Sequence, residues 1–472
     1  MMRRALTLWL FVPLCLSLAR AAEKEKPLPK DLPSYGPLQP FVAPQVTPHQ
    51  LSNGLTLWLA PRPGFPKVSL AVAVRGGKAA DPKGGPGLSV LLADTLDQGT
   101  KTRSAREIAE ELQAAGGDFS RDAEADDLIV STSVLSSKAE AGLTVLADIL
   151  QNATFPDSEV ALAKRNAADR LRSQEADPFF LTSRALVRAV FGDHPYSVIA
   201  PTQDSIAKTT AEELRREYAR RFRPDQVALV AVGDFDAGTL TGWVESLLGK
   251  WQTPAEPPVP AVEKPSQAAP HAVFYVVRPE SVQTTIAVGT LAPTRGEAEY
   301  PAAQVGVAIY GGMFGSRLTL NIREDKGYTY SPFAYLSPRR QVAVFQSWAP
   351  VRNEVTGAAL NEMNYELNRM ATTAPTEDEL THAQRYLTGT RVIELQSQDA
   401  VAAELARLWV FGLSAEELGT ETARIQKVTA KDVEAVGAKY FSAARQTIVM
   451  VGEEKVIKDQ VAPFAIETRL SP

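Results

Sequence analysis

Few side chains in this 472-residue chain could do chemistry, and their spacing removes most of the options. Of its four histidines, His49, His194, His271 and His382, no two share a helical turn, so no pair can grip a metal from one helix face. The only cysteine, Cys15, lies in an N-terminal apolar run, which leaves the remainder without a thiolate nucleophile or a disulfide. No serine arrangement points to another catalytic centre. The stretch from Gly85 to Thr100, Gly-Pro-Gly-Leu-Ser-Val-Leu-Leu-Ala-Asp-Thr-Leu-Asp-Gln-Gly-Thr, reads as a helix. Positions 88, 91, 92, 95 and 96 share its apolar face, with Val90, Ala93, Asp94 and Asp97 on the neighbouring one. Valine and alanine carry no lone pair for a ligand or a base, and a lone Asp94 is expected to be a solvated or capping carboxylate. His194, in Asp193-His194-Pro195-Tyr196, reads as a structural turn; His382 reads as surface, and His49 and His271 only flank strand starts.

The elements that must position these residues belong to a folded protein of more than one domain. Apolar content of 44% and charged content of 22% are those of a globular chain, and 472 residues exceed what one core holds. A net charge of -5 gives no basic footprint for nucleic acid or anionic lipid. Residues 1–21 read as an export signal: Arg3 and Arg4, an apolar run from Ala5 to Leu18, then Ala19-Arg20-Ala21 as a cleavage site. That run is short of the roughly 20 residues a membrane span needs. No later run is long enough either, so an exported protein, periplasmic or otherwise extracytoplasmic and without a membrane span after cleavage, is expected.

Residues 22–47 are Pro-rich and read as a tether. Folded structure is expected from Gln50, with Asn53-Gly54 as a turn before a strand, and Val68 to Val74 as a strand buried on both faces. Ser104-Ala105-Arg106-Glu107 and Thr210-Ala211-Glu212-Glu213 are capping boxes that open helices, and Val227 to Val232 returns to strand. A second Pro-rich stretch, 253–270, separates a first domain over 48–252 from a second over 271–465. The order then repeats: strands at 273–277 and 284–289, a helix from about Pro301 into Ile322, strands within 328–349, and helices from Thr356, with Thr376 and Thr429 as further helix starts. Two halves of similar length and order suggest an internal duplication.

The Gly85–Thr100 frame resembles the zinc helix of the insulinase/pitrilysin-like metallopeptidases, in which His-x-x-Glu-His supplies two ligands and a general base. Here those positions hold Val90, Ala93 and Asp94. The family's third ligand, counted back from Asp177-Pro178, falls on Arg170, a cation that would repel zinc. The resemblance therefore implies a degenerate zinc motif and no metal or other cofactor bound by this chain. It also implies an α+β fold of two homologous domains of about 200 residues, each a mostly antiparallel sheet flanked by helices, arranged as a clamshell.

The second half keeps a different family feature. Gly311-Gly312-Met313-Phe314-Gly315-Ser316-Arg317-Leu318 followed by Arg323-Glu324-Asp325-Lys326-Gly327-Tyr328-Thr329-Tyr330 is similar to the segment whose Arg and Tyr reach across to a zinc site in active relatives. The resemblance makes Arg323 and Tyr330 the catalytic candidates. A guanidinium anchors a substrate carbonyl or carboxylate, and a phenol donates to the oxyanion formed by hydroxide attack. Strand-like substrate capture would fall on Gly117, Asp118, Phe119 and Ser120.

Two functions follow. One is a zinc-less subunit that pairs as a heterodimer with a homologous, zinc-bearing subunit and lends it Arg323 and Tyr330 for cleaving peptides or unfolded proteins. The alternative is a pseudo-peptidase that binds peptides, acts like a chaperone, or plays a structural role in the envelope.

Overall fold

A computed structural model describes residues 42–265, 272–464 and 468–470. The export signal, Cys15, most of the Pro-rich tether, His271 and the end of the second Pro-rich stretch lie outside the described residues. Within them, Ala43 and Val46 at the close of the tether pack against the core.

Two six-stranded sheets form, one in each half. The first contains β1 (Thr47–Gln50), β2 (Thr56–Pro61), β3 (Lys67–Arg75), β4 (Phe119–Ala123), β5 (Asp127–Leu135) and β6 (Val227–Gly233), in the order β1-β2-β6-β3-β5-β4. The second contains β7 (Val273–Val277), β8 (Gln283–Ala292), β9 (Phe333–Pro338), β10 (Ala343–Arg352), β11 (Thr447–Gly452) and β12 (Thr468–Leu470), in the order β12-β7-β11-β8-β10-β9. Strands β2, β6, β3, β5 and β4 thus correspond in place to β7, β11, β8, β10 and β9. Most pairings are antiparallel; β2 with β6, β7 with β11 and β7 with β12 are parallel. The architecture is the two-domain α+β clamshell, and the repeated strand order is that of a duplicated unit.

The central strands are apolar on both sides because each sheet is covered twice. In β3, Val68, Leu70, Val72 and Val74 face the core of their own half, while Ala71 and Ala73 join a cluster with the helix Gln398–Phe411. In β8 and β11, Ile286, Val288, Ile448 and Met450 face their own half, whereas Ala287, Val449 and Val451 pack on Leu186, Val187 and Val190 of the helix Pro178–Phe191. Each half therefore sends one helix onto the outer face of the other's sheet. Burying such aliphatic side chains contributes about 1.5–3 kcal/mol each, so this exchange makes the halves mutually dependent. A buried ionic group anchors the Gln398–Phe411 helix to its own half: Arg391 donates to Glu404 at 2.6 Å and pairs with Glu421 at 3.0 Å, and Arg295 pairs with both glutamates.

The helices opening at Ser104, Thr210, Thr376 and Thr429 all carry complete capping boxes. Strand β1 precedes the expected start of folded structure; its residues are all exposed, so no apolar alternation signals it. The expectation of one helix from Pro301 into Ile322 needs correcting. The α-helix Tyr300–Val307 passes into π turns at Ala308–Gly312, the chain is extended at Met313 (φ -134, ψ 160), and π turns resume over Thr319–Asp325. Two adjacent glycines weaken the helix there, and their lack of side chains lets β9 approach: a Cβ on Gly311 would lie 3.0 Å from that of Ala334.

Candidate functional site

The helix Leu88–Thr95 is set in place by a carboxylate that precedes it. Asp81 accepts from the backbone N–H of Gly87 (2.9 Å) and of Ser89 (3.0 Å) and from the Ser89 hydroxyl (3.0 Å), so it caps the helix from six to eight residues upstream. Its other partner is the fully buried Arg221, which donates to it at 3.0 Å. Burial raises the Asp81 carboxyl above its ordinary range, against the pull of Arg221 and Ser89. Gly87 has φ +85, and a Cβ there would fall 2.3 Å from Pro201, so the turn into the helix demands glycine.

This helix turns Val90, Ala93 and Asp94 into a cleft of ≈ 230 Å³, where they meet Arg170 of the helix Asp157–Glu175 and Arg121 of β4. The positions at which the resemblance places metal ligands are thus brought together. They do not fit a metal: Val90 is hydrocarbon, Arg170 is a cation, and Asp94 is taken, because Arg170 donates to it at 2.5 Å, while Ala93 offers no base. Arg121 also approaches Asp94 at 3.9 Å and donates to Asp97 at 3.0 Å. Asp94 caps no helix; it is a partly exposed carboxylate held in an ion pair, at a position that the resemblance matches to a metal ligand. Among the described residues no cluster of three or more His, Cys, Asp and Glu side chains is arranged to hold a metal.

Strand β4 is the edge of its sheet and borders this cleft. Phe119 and Ser120 pair with Thr132 and Ser131 of β5, which leaves the opposite edge of β4 without a strand among the described residues. Asp118 is exposed just before the strand. Gly117 is required by close packing, since a Cβ would lie 2.3 Å from the Ser133 carbonyl oxygen.

Arg323 and Tyr330 lie together elsewhere. The Arg323 guanidinium sits 4.6 Å from the ring centre of Phe314 and 4.9 Å from that of Tyr330, and its Nε pairs with Glu324 at 3.1 Å. Tyr330 is 82% exposed and Phe314 67%. Neither Arg323 nor Tyr330 lines the cleft beside Asp94. The preceding Ser-Arg-Leu has a structural job instead. Arg317 is buried and grips Glu379 with Nε at 2.6 Å and Nη2 at 2.9 Å, while Glu379 also caps its helix through the Thr376 N–H. Those bonds, Arg317 first, hold the Glu379 carboxyl down at about 2.

Reading the sequence missed Asp81, Arg221 and Glu379 as positioning residues; the Thr376 capping box was the only signal for any of them. His194 stays structural, with Nδ1 accepting from the Tyr196 N–H at 3.2 Å. Among the described residues, His382 and His49 join no group of His, Cys, Asp and Glu side chains able to hold a metal.

Comparison with known proteins matches residues 59–200 to the model "Insulinase (Peptidase family M16)" and residues 208–387 to "Peptidase M16 inactive domain". The chain is 25% identical over 378 residues to an uncharacterized zinc protease of Streptomyces coelicolor, covering 78% of this chain and 81% of that protein. It is 24% identical to another such protein from Mycobacterium bovis, over 89% and 96% of the two chains. Among solved structures it resembles a peptidase M16 inactive domain from Pseudomonas fluorescens (TM-score 0.81, 23% identity, 87% of this chain and 98% of that one). A protease from Helicobacter pylori is similar in fold (TM-score 0.82, 17% identity, 87% and 100% of the chains).

Proposed function

This chain belongs to the insulinase-like peptidases of family M16, and on that premise we propose that it is the zinc-less subunit of a composite, exported peptidase. A homologous partner subunit would carry zinc, and this chain would supply Arg323 to anchor a substrate carbonyl or carboxylate and Tyr330 to donate to the oxyanion. The observation that carries the reading is the contrast between two places in one molecule. Asp94, at a position the resemblance matches to a metal ligand, is paired with Arg170, while Arg323, half-buried, and Tyr330, exposed, stay adjacent and outside that cleft. A cation and a phenol held together at the surface suit use by another chain.

The test is co-expression with a homologue that has an intact His-x-x-Glu-His motif, followed by peptide cleavage with the wild-type chain, with Arg323→Ala, and with the chain omitted. The reading expects cleavage to depend on both. Equal cleavage without this chain sinks it.

The exposed edge of β4 favours a second reading, a pseudo-peptidase that holds peptides by strand addition without cutting them. That role would survive replacement of Arg323 and Tyr330.

A further inference from the structure

A second cleft, of ≈ 380 Å³, opens between the two halves. One wall is the turn leading into β5, which carries Asp126 and Asp127; the other comes from the end of β9, the following Arg339, and Arg407 of the exchanged helix Gln398–Phe411. Most charges here are satisfied. Asp126 accepts from the Tyr196 hydroxyl at 2.7 Å and from the Arg340 N–H at 2.8 Å, and Arg295 is paired with Glu404.

Two are satisfied only in part. Asp127 is 3% exposed and its Oδ1 has no hydrogen-bond partner. Arg339 is 9% exposed, its Nε has no partner, and its guanidinium rests on the rings of Tyr196 (5.1 Å) and Phe191 (5.2 Å). Each group keeps one buried polar atom without a hydrogen bond, although the charge of Arg407 acts on Asp127 and that of Asp126 on Arg339, and the two share one cleft without bonding to each other. Arg407 stands at the rim, 44% exposed, with a long 3.7 Å contact to Asp122 and its charge near Asp127.

We propose that this cleft binds a small zwitterion, an amino acid or dipeptide, with its ammonium on Asp127 and its carboxylate on Arg339 and Arg407. A simple cation would leave the Arg339 Nε without a hydrogen bond, and a simple anion would leave the Asp127 Oδ1 without one; one molecule bearing both charges meets both. The volume suits a ligand of that size, at the lower end of small-molecule sites, and Phe411 and Ile199 offer apolar surface for a side chain. The site requires neither zinc nor a partner subunit, so it stands or falls apart from the composite-peptidase reading.

Calorimetric titration of the purified mature chain with glycylleucine tests it, beside N-acetylglycylleucine, which lacks the ammonium, and glycylleucinamide, which lacks the carboxylate. Glycylleucine is expected to bind at least tenfold more tightly than either blocked analogue. Asp127→Asn, an isosteric change, and Arg407→Ala, at the exposed rim, should each weaken it at least tenfold while circular dichroism stays unchanged. No binding of glycylleucine, equal binding of the blocked analogues, or full affinity in the Arg407→Ala chain would overturn the proposal.

Discussion

Arg170 donates to Asp94 at 2.5 Å across the gap between the helices Asp157–Glu175 and Leu88–Thr95, joining two positions that the sequence resemblance matches to metal ligands. Both side chains keep substantial exposure, so the pair is expected to contribute only about 0–1 kcal/mol to stability. Its consequence is chemical: a fixed cation holds the one carboxylate that the degenerate motif retains.

Elemental analysis of the purified chain should accordingly find no stoichiometric zinc. The combined replacement Val90→His, Ala93→Glu, Asp94→His and Arg170→Glu is expected to bring zinc to about one ion per chain, because the two helices already hold those positions around one cleft. Stoichiometric zinc in the wild type would contradict the reading of this site.

Tyr330→Phe should leave folding stability within about 0.5 kcal/mol, since that ring sits at the surface, and Arg323→Ala, which removes a half-buried guanidinium from the rings of Phe314 and Tyr330, should cost no more than about 1 kcal/mol. The same replacements are expected to lower cleavage by the composite enzyme by about 100-fold or more, the scale of losing a transition-state contact. A fall in melting temperature matching the fall in activity would assign these residues to structure.

Arg317→Ala separates the two parts of the second-half motif. It removes a buried, bidentate partner of Glu379 and is expected to destabilise the chain by about 3 kcal/mol, read by chemical denaturation. The depressed Glu379 carboxyl gives the pH signature. Its contribution is complete above the unfolded-state value of 4.5 and is lost as pH falls toward about 2, so the penalty of Arg317→Ala should shrink in acid.

Asp127 has the opposite sign. Burial pushes its carboxyl up to about 7, with Asp126, Glu124 and Asp122 adding to the rise and Arg407 opposing it. Folding therefore loses stability from this group as pH climbs from about 4 to about 7, where the buried form must ionise. Asp127→Asn should raise the melting temperature at pH 8 and change it little at pH 4.

Asp81→Ala should be among the most damaging single changes, at about 3 kcal/mol or more. It strips the cap from the Leu88–Thr95 helix and leaves the buried Arg221 guanidinium without its Asp81 partner. Thermal melts that match the wild type would show that the helix is anchored otherwise.

Much of this was readable in one dimension because it is local. Capping boxes at Ser104, Thr210, Thr376 and Thr429 declare helix starts through contacts three residues apart, and the unbroken apolar run of β3 declares a strand covered on both faces. Strand β1 carried no such signal, because an exposed edge strand is held by backbone bonds that any sequence makes. The break at Gly311–Met313 was hidden because the backbone of β9, which presses on it, arrives from another part of the chain.

The sequence by itself determined which groups stand at the positions that the resemblance matches to the zinc motif: side-chain identity alone denies Val90 and Ala93 a lone pair and leaves Asp94 as the one carboxylate. Only the tertiary structure decided what that carboxylate pairs with, and what covers each sheet. The Asp94–Arg170 pair spans 76 residues, and the exchanged helices Pro178–Phe191 and Gln398–Phe411 lie on the sheets of opposite halves. Such pairings minimise exposed apolar surface and unpaired charge over the whole molecule, and no window of sequence contains both partners.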